Sequence, residues 1–174
     1  MRIGLEEKAK RLATVWHSSI KQVRKYTGEP YINHPAAVVE IVRAVPHTEE
    51  MLAAAWLHDT VEDTVATLDE IHDLCGHKVA VLVEMLTDIS KPEDGNRAKR
   101  KAIDRSHTAL ASPAAMTIKL ADLINNSSSI LSRDPKFAGV YIREKGLLLK
   151  VLMRGDLVLW NRANDIVLDY MNAK

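Results

Sequence analysis

The sequence predicts an all-α protein, and three observations carry that prediction. Apolar residues recur at three- and four-residue spacing along most of the chain. Between these runs stand proline, glycine and small polar residues of the kinds that start and stop helices. No stretch alternates apolar and polar residues with the two-residue period of a half-buried strand. A chain of 174 residues with 47% hydrophobic content suffices for one sizeable core, so a single domain over 1–174 is expected.

Leu5, Ala9, Leu12, Ala13, Trp16, Ile20 and Val23 predict a first amphipathic helix from Leu5 to Lys25. Tyr26 to Pro35 has the glycine and proline punctuation of a rigid loop, and Asn33 or His34 caps a second helix running from Pro35 to Val45. Thr48, followed by Glu49 and Glu50, starts a third helix that is expected to carry His58, Asp59, Glu62 and Asp63 on one face. Thr67 to Glu70 has the form of a capping box for a short helix that Gly76 closes. His77 to Leu86 forms the next helix, and Ile89 to Gly95 is a surface loop. Arg97 to Lys101 is a basic run, and Ser112 with Pro113 opens a central helix through Leu120 and Ile124. Two closing helices, Ala138–Met153 and Asp156–Met171, pack through Leu147, Leu148, Leu157 and Trp160.

The 24 basic residues nearly balance the 23 acidic ones, which argues against a general attraction to nucleic acid or to an acidic membrane surface. Any preference for a polyanion must then be local, as at Arg24-Lys25 and Arg97–Lys101. The single cysteine, Cys75, excludes an intramolecular disulfide and suits a reducing compartment. No apolar run approaches the length of a membrane span, and the N-terminus lacks the plan of a signal peptide. A soluble, cytoplasmic protein is expected.

Burying His58, Asp59, Glu62 and Asp63 together costs several kcal/mol unless a cation satisfies them. His34 at a helix start and Asp122 on the central late helix add an imidazole and a carboxylate. Two imidazoles and two carboxylates suit a divalent ion with open positions for water, Mn²⁺ or Fe²⁺ rather than a closed structural zinc site. Along the late helix, Lys119, Asp122, Asn126 and Ser129 fall within one stripe. His17, His47, His72, His77 and His107 sit in no such pattern and are read as structural.

Three separated segments, Tyr31-Ile32-Asn33-His34-Pro35, His58-Asp59-Thr60-Val61-Glu62-Asp63-Thr64 and Lys119-Leu120-Ala121-Asp122 followed by Asn126, resemble the hydrolase domain of Rel/SpoT proteins of the HD superfamily. The resemblance implies a single-domain HD-type helical bundle, of the kind found in stand-alone small alarmone hydrolases. It implies Mn²⁺-dependent hydrolysis of the 3′-pyrophosphate of (p)ppGpp, with Fe²⁺ or another divalent metal as alternatives. His34, His58, Asp59 and Asp122 would be the metal ligands, and Glu62 with Asp63 the pair that orients or deprotonates water. Arg24, Lys25, Arg97, Lys101, Asn126 and Ser129 would meet a small-molecule nucleotide, with no nucleic acid and no membrane as partner. The chain departs from relatives after Asp122, where Ile124-Asn125-Asn126-Ser127-Ser128 lacks their arginine. Two other readings stay open: an HD phosphohydrolase for another nucleotide, and a non-catalytic nucleotide-binding module.

Overall fold

A computed structural model describes residues 3–173. Its helices are α1 (Leu5–Ser19), α2 (Asn33–Arg43), α3 (Glu49–Leu57), α4 (Thr60–Asp63), α5 (Leu68–Cys75), α6 (His77–Leu86), α7 (Arg97–Thr108), α8 (Pro113–Arg133), α9 (Pro135–Leu149) and α10 (Leu157–Asn172), with a 3₁₀ turn at Pro92–Asp94. Among the described residues the extended pairing is confined to an isolated antiparallel bridge between Val23 and Pro30, so the fold is all-α as predicted. The helices group into two compact units, Met1–Thr87 and Asp88–Lys174.

In the first unit α3 lies at the centre, packed by α1, α2 and α6. Every residue from Met51 to Leu57 is buried, as a helix apolar on all sides requires. Thr48 starts it by accepting the backbone N–H of Met51 at 3.2 Å. Ala9 and Ala13 of α1 are buried without residual exposure and are small enough to let two helices approach closely, and His17 is buried beyond them. The capping box expected at Thr67 and Glu70 is formed.

Three helices in this unit differ from expectation. α2 runs from Asn33 to Arg43 rather than Pro35 to Val45, and its N-cap is Ile32, with no side-chain capping bond, rather than Asn33 or His34. α1 stops at Ser19 rather than Lys25, because Lys21 turns left-handed at φ 53°. Gln22 N–H then bonds the His17 carbonyl at 3.1 Å and Lys21 N–H that of Ser18 at 3.0 Å, a Schellman closure built without glycine. Ile20 and Val23, which prolonged the apolar pattern, are 43% and 56% exposed. The third helix is also not continuous through the acidic cluster. It ends at Leu57, leaves His58 and Asp59 in a turn, and resumes as α4. Side chains compete for the last carbonyls there: His58 Nδ1 bonds Ala55 O at 2.8 Å and Thr60 Oγ1 bonds Leu57 O at 2.7 Å.

In the second unit α8 packs on α9 and α10. Ser112 caps α8, accepting from Ala115 N at 3.2 Å. Gly155, before α10, lies so close to α8 that an added Cβ would sit 2.8 Å from Leu120 Cδ1 and 3.1 Å from the Met116 carbonyl carbon. Asp156 N–H donates to Thr117 Oγ1 at 2.9 Å beside that approach. α9 starts at Pro135, earlier than expected, because proline serves as its first residue behind the capping Asp134. Leu147 and Leu157, expected in the packing, are 44% and 69% exposed.

Candidate metal centre

The break between α3 and α4 decides the chemistry of the first unit. The Ala55 carbonyl can only accept, so His58 carries a proton on Nδ1, and in the neutral ring Nε2 is the acceptor. That nitrogen lies 3.3 Å from His34 Nε2 and 3.0 Å from Asp59 Oδ2, and the latter two are 3.4 Å apart. His34 and His58 are each 1% exposed. Three electron-pair donors this close repel one another unless a cation or proton lies among them. Among the described residues they form the one group of three or more His, Cys, Asp or Glu side chains able to hold a metal ion. Two imidazole nitrogens and a carboxylate oxygen fit a borderline divalent cation.

A short loop braces this turn. Tyr31 N–H bonds the Gln22 carbonyl at 3.1 Å and Arg24 N–H that of Glu29 at 2.8 Å, so Gln22 and Tyr31 leave the loop side by side. The Tyr31 hydroxyl donates to Asp59 Oδ2 at 2.6 Å, and Gln22 Nε2 donates to Asp63 Oδ2 at 2.8 Å. Asp63 is exposed as a residue, yet its carboxyl is crowded; loss of solvent raises its pKa, with the Gln22 bond pulling the other way and Asp59 adding to the rise. The rings of Tyr31 and His34 meet edge-on with centroids 5.7 Å apart.

The second unit holds Asp122, Asn126 and Ser129 along α8. Asp122 is buried, accepts from Asn126 Nδ2 at 2.6 Å and faces Lys119 Nζ at 3.7 Å. Ser129 Oγ bonds the Asn126 carbonyl at 3.2 Å. Lys101, Lys119 and Lys145 line a pocket with Asp88, Asp104 and Glu144. Lys101 pairs with Asp88 at 2.7 Å, while Arg97 grips Glu144 with two bonds of 2.7 and 2.9 Å. Burial pushes the Asp88 carboxyl up, but Lys119 and Lys101 outweigh it and the net pKa is lowered. Burial pushes the Lys145 amine down to about 8, with Asp122 opposing.

His34, His58 and Asp59 therefore stand together, with Asp63 tied to the same loop, while Glu62 is exposed on α4. Arg24 and Lys25 lie in that loop; Lys25 Nζ stands 4.9 Å over the Tyr26 ring. Gln22 and Lys145 carry no signal in the sequence, His17 reads there as structural, and Tyr31 stands in a motif without a role of its own. For Tyr31 the signal was available, since it stands three residues before His34 in the same motif.

Comparison with known proteins adds relatives to this geometry. A probable guanosine-3′,5′-bis(diphosphate) 3′-pyrophosphohydrolase of Synechocystis is 36% identical over 118 residues, 66% of this chain and 16% of the relative. The guanosine-3′,5′-bis(diphosphate) 3′-pyrophosphohydrolase MESH1 of Homo sapiens is 41% identical over 101 residues, 57% of this chain and 55% of its own length. The chain thus spans a small part of the first relative and about half of the second. A solved structure of a metazoan ortholog of SpoT, described as hydrolyzing ppGpp and playing a role in starvation responses, superposes with a TM-score of 0.86 at 26% identity, covering 98% of this chain and 97% of that one. The HD domain family model matches residues 9–139. Since that match runs from within α1 to within α9, well over half of the residues, the chain belongs to the HD domain family.

Proposed function

We propose that the chain is a metal-dependent (p)ppGpp 3′-pyrophosphohydrolase that releases pyrophosphate and leaves GDP or GTP. The observation that carries this reading is the convergence of His34 Nε2, His58 Nε2 and Asp59 Oδ2 within 3.4 Å of one another. The activity in the names of the human and Synechocystis relatives supports it. The matched stretch also runs in sequence through both units, which supports treating 1–174 as a single HD hydrolase domain. A cytoplasmic location agrees with a sole, free cysteine.

A bound divalent cation, Mn²⁺ in this proposal with Fe²⁺ the next choice, supplies Lewis acidity toward water and phosphoryl oxygen. His34, His58 and Asp59 hold it, and the proposal adds Asp122 as the fourth ligand on its motif. Glu62 and Asp63 orient the attacking water or accept its proton; burial raises the pKa of Asp63 and with it the basicity of that carboxylate. Water attacks the phosphorus bonded to the 3′ oxygen, that P–O bond breaks, and the proton passes to the departing 3′ oxygen. Arg24, Lys25, Asn126 and Ser129 are proposed nucleotide contacts. Lys101 and Arg97 reach phosphate by exchanging Asp88 and Glu144 for phosphate oxygens, beside Lys119 and Lys145.

Incubation with ppGpp and Mn²⁺ tests the reading: pyrophosphate and GDP appear together, and dialysis against a chelator stops both. Release from another nucleotide alone selects a different HD phosphohydrolase, which the missing arginine after Asn126 favours. Ser127 stands in that segment with its hydroxyl turned to the Leu123 carbonyl at 2.7 Å. Nucleotide binding without turnover selects the non-catalytic module.

A further inference from the structure

We infer that His17, outside every motif quoted above, is a positioning residue that fixes the Asp63 carboxylate through the side chain of Gln22. The inference takes the role of Asp63 from the hydrolase proposal; the hydrogen-bond chain itself does not depend on it.

His17 is 1% exposed near the end of α1. Its Nδ1 lies 2.6 Å from Gln22 Oε1, and Gln22 Nε2 donates to Asp63 Oδ2 at 2.8 Å. A carboxylate only accepts, so the amide must turn its NH₂ toward Asp63 and its carbonyl toward His17. The imidazole therefore donates from Nδ1. With the amide reversed, a carbonyl would face the carboxylate and an NH₂ would face the imidazole proton; His17 excludes that state. Burial lowers the pKa of the ring and keeps it neutral, while the Gln22 bond opposes the shift.

The backbone is shaped to the same end. The left-handed Lys21 folds Gln22 back over His17, whose carbonyl accepts the Gln22 N–H. The His17 ring also lies against Tyr31 with centroids 4.7 Å apart, and Tyr31 donates to Asp59. One imidazole thus touches both side chains that brace the metal-binding turn. Packing alone gives no reason for a histidine here. No protein atom among the described residues bonds its buried Nε2, and phenylalanine would fill the space without desolvating a nitrogen. What the imidazole adds is the Nδ1–H.

Two readouts test the proposal on the full chain. The first needs no substrate: ¹⁵N-histidine spectra should show His17 as the Nδ1–H tautomer with a slowly exchanging proton, and Gln22→Met should make that proton exchange fast. An Nε2–H tautomer, or a proton indifferent to Gln22→Met, overturns the inference. The second is kinetic. His17→Phe should lower kcat roughly tenfold, the low end of what outer-shell partners contribute, with KM and Mn²⁺ content unchanged. In an Asp63→Asn background the same change should cost nothing further; an undiminished tenfold loss there means that His17 acts elsewhere and overturns the inference. His17→Asn keeps a donor near Nδ1 and should recover most of kcat, and equal slowness of His17→Asn and His17→Phe also overturns it. Should the wild type turn over no ppGpp, the hydrolase proposal fails while the tautomer measurement still decides the hydrogen-bond chain.

Discussion

In the first unit the donors around His58 are imidazoles and one carboxylate, and the Ala55 carbonyl fixes a proton on His58 Nδ1, so that Nε2, the acceptor of the neutral ring, faces His34 and Asp59. In the second unit Lys101 and Arg97 are already answered by Asp88 and Glu144. The first arrangement turns two imidazole nitrogens and a carboxylate oxygen toward one another, a donor set that suits a cation and in which Asp59 is met by the neutral Tyr31 hydroxyl. The second is satisfied by itself and must trade acids for phosphates, so binding an anion there is a competition. Changes in the first region should therefore act on metal and kcat, and changes in the second on KM and its pH dependence.

The strongest attempt to break that division is Asp122→Ala, because the proposal assigns this residue of the second unit to the metal. It should abolish metal retention and turnover together, read by metal analysis after dialysis and by pyrophosphate release. A variant that still holds one equivalent of Mn²⁺ removes Asp122 from the ligand set and confines the metal to the first unit. Next in size is Glu62→Gln, which keeps the shape of the side chain but removes its charge and its basicity. It should retain metal and lose about 10²-fold in kcat; near-normal turnover would assign the proton to another group.

Lys145→Met sharpens the other side. The amine titrates at about 8, so it is charged below that pH and neutral above it. Wild-type KM for an anionic nucleotide should then rise as pH passes through 8, by roughly tenfold if one phosphate contact of about 1.4 kcal/mol is lost. The variant should show the raised KM already at pH 7 and a flat profile. Stability carries a sign of its own. Between the folded pKa near 8 and the ordinary lysine value the unfolded chain binds more protons, so the wild type should gain stability with rising pH in that window relative to Lys145→Met. Chemical denaturation at pH 7 and pH 10 checks it.

Much of this was legible in the residues, and the parts that were not share a cause. Caps declare themselves locally: Thr48, the Thr67–Glu70 box and Ser112 act within three residues of where they stand. The grouping of His34, His58 and Asp59 was legible because side chains able to hold a metal are limited in type and spacing. The end of α1 was not, since Ile20 and Val23 extend an apolar pattern whose burial depends on a partner that only the fold supplies. Gln22 and His17 stayed silent for a related reason. An amide or an imidazole gains its role here from a contact 41 residues away, between Gln22 and Asp63, which periodicity cannot report. Lys145 was hidden because a lysine on a late helix reads as solvated until its neighbours are known.

The smallest predicted effect falls on Lys21, and it separates shape from chemistry in the first unit. A non-glycine residue in the left-handed region costs about 1–2 kcal/mol, and Lys21 holds φ 53° to fold Gln22 back over His17. Glycine removes that strain but adds about 0.5–1 kcal/mol of backbone entropy to be lost on folding. Lys21→Gly should therefore stabilise the chain by about 0.5–1 kcal/mol in denaturant unfolding, with metal content and kcat unchanged, because the loop is the same and only its strain is gone. A stabilised chain with lowered kcat would mean that the strained turn itself holds Gln22 against Asp63, so that stiffness at the end of α1 belongs to the chemistry and not only to the fold.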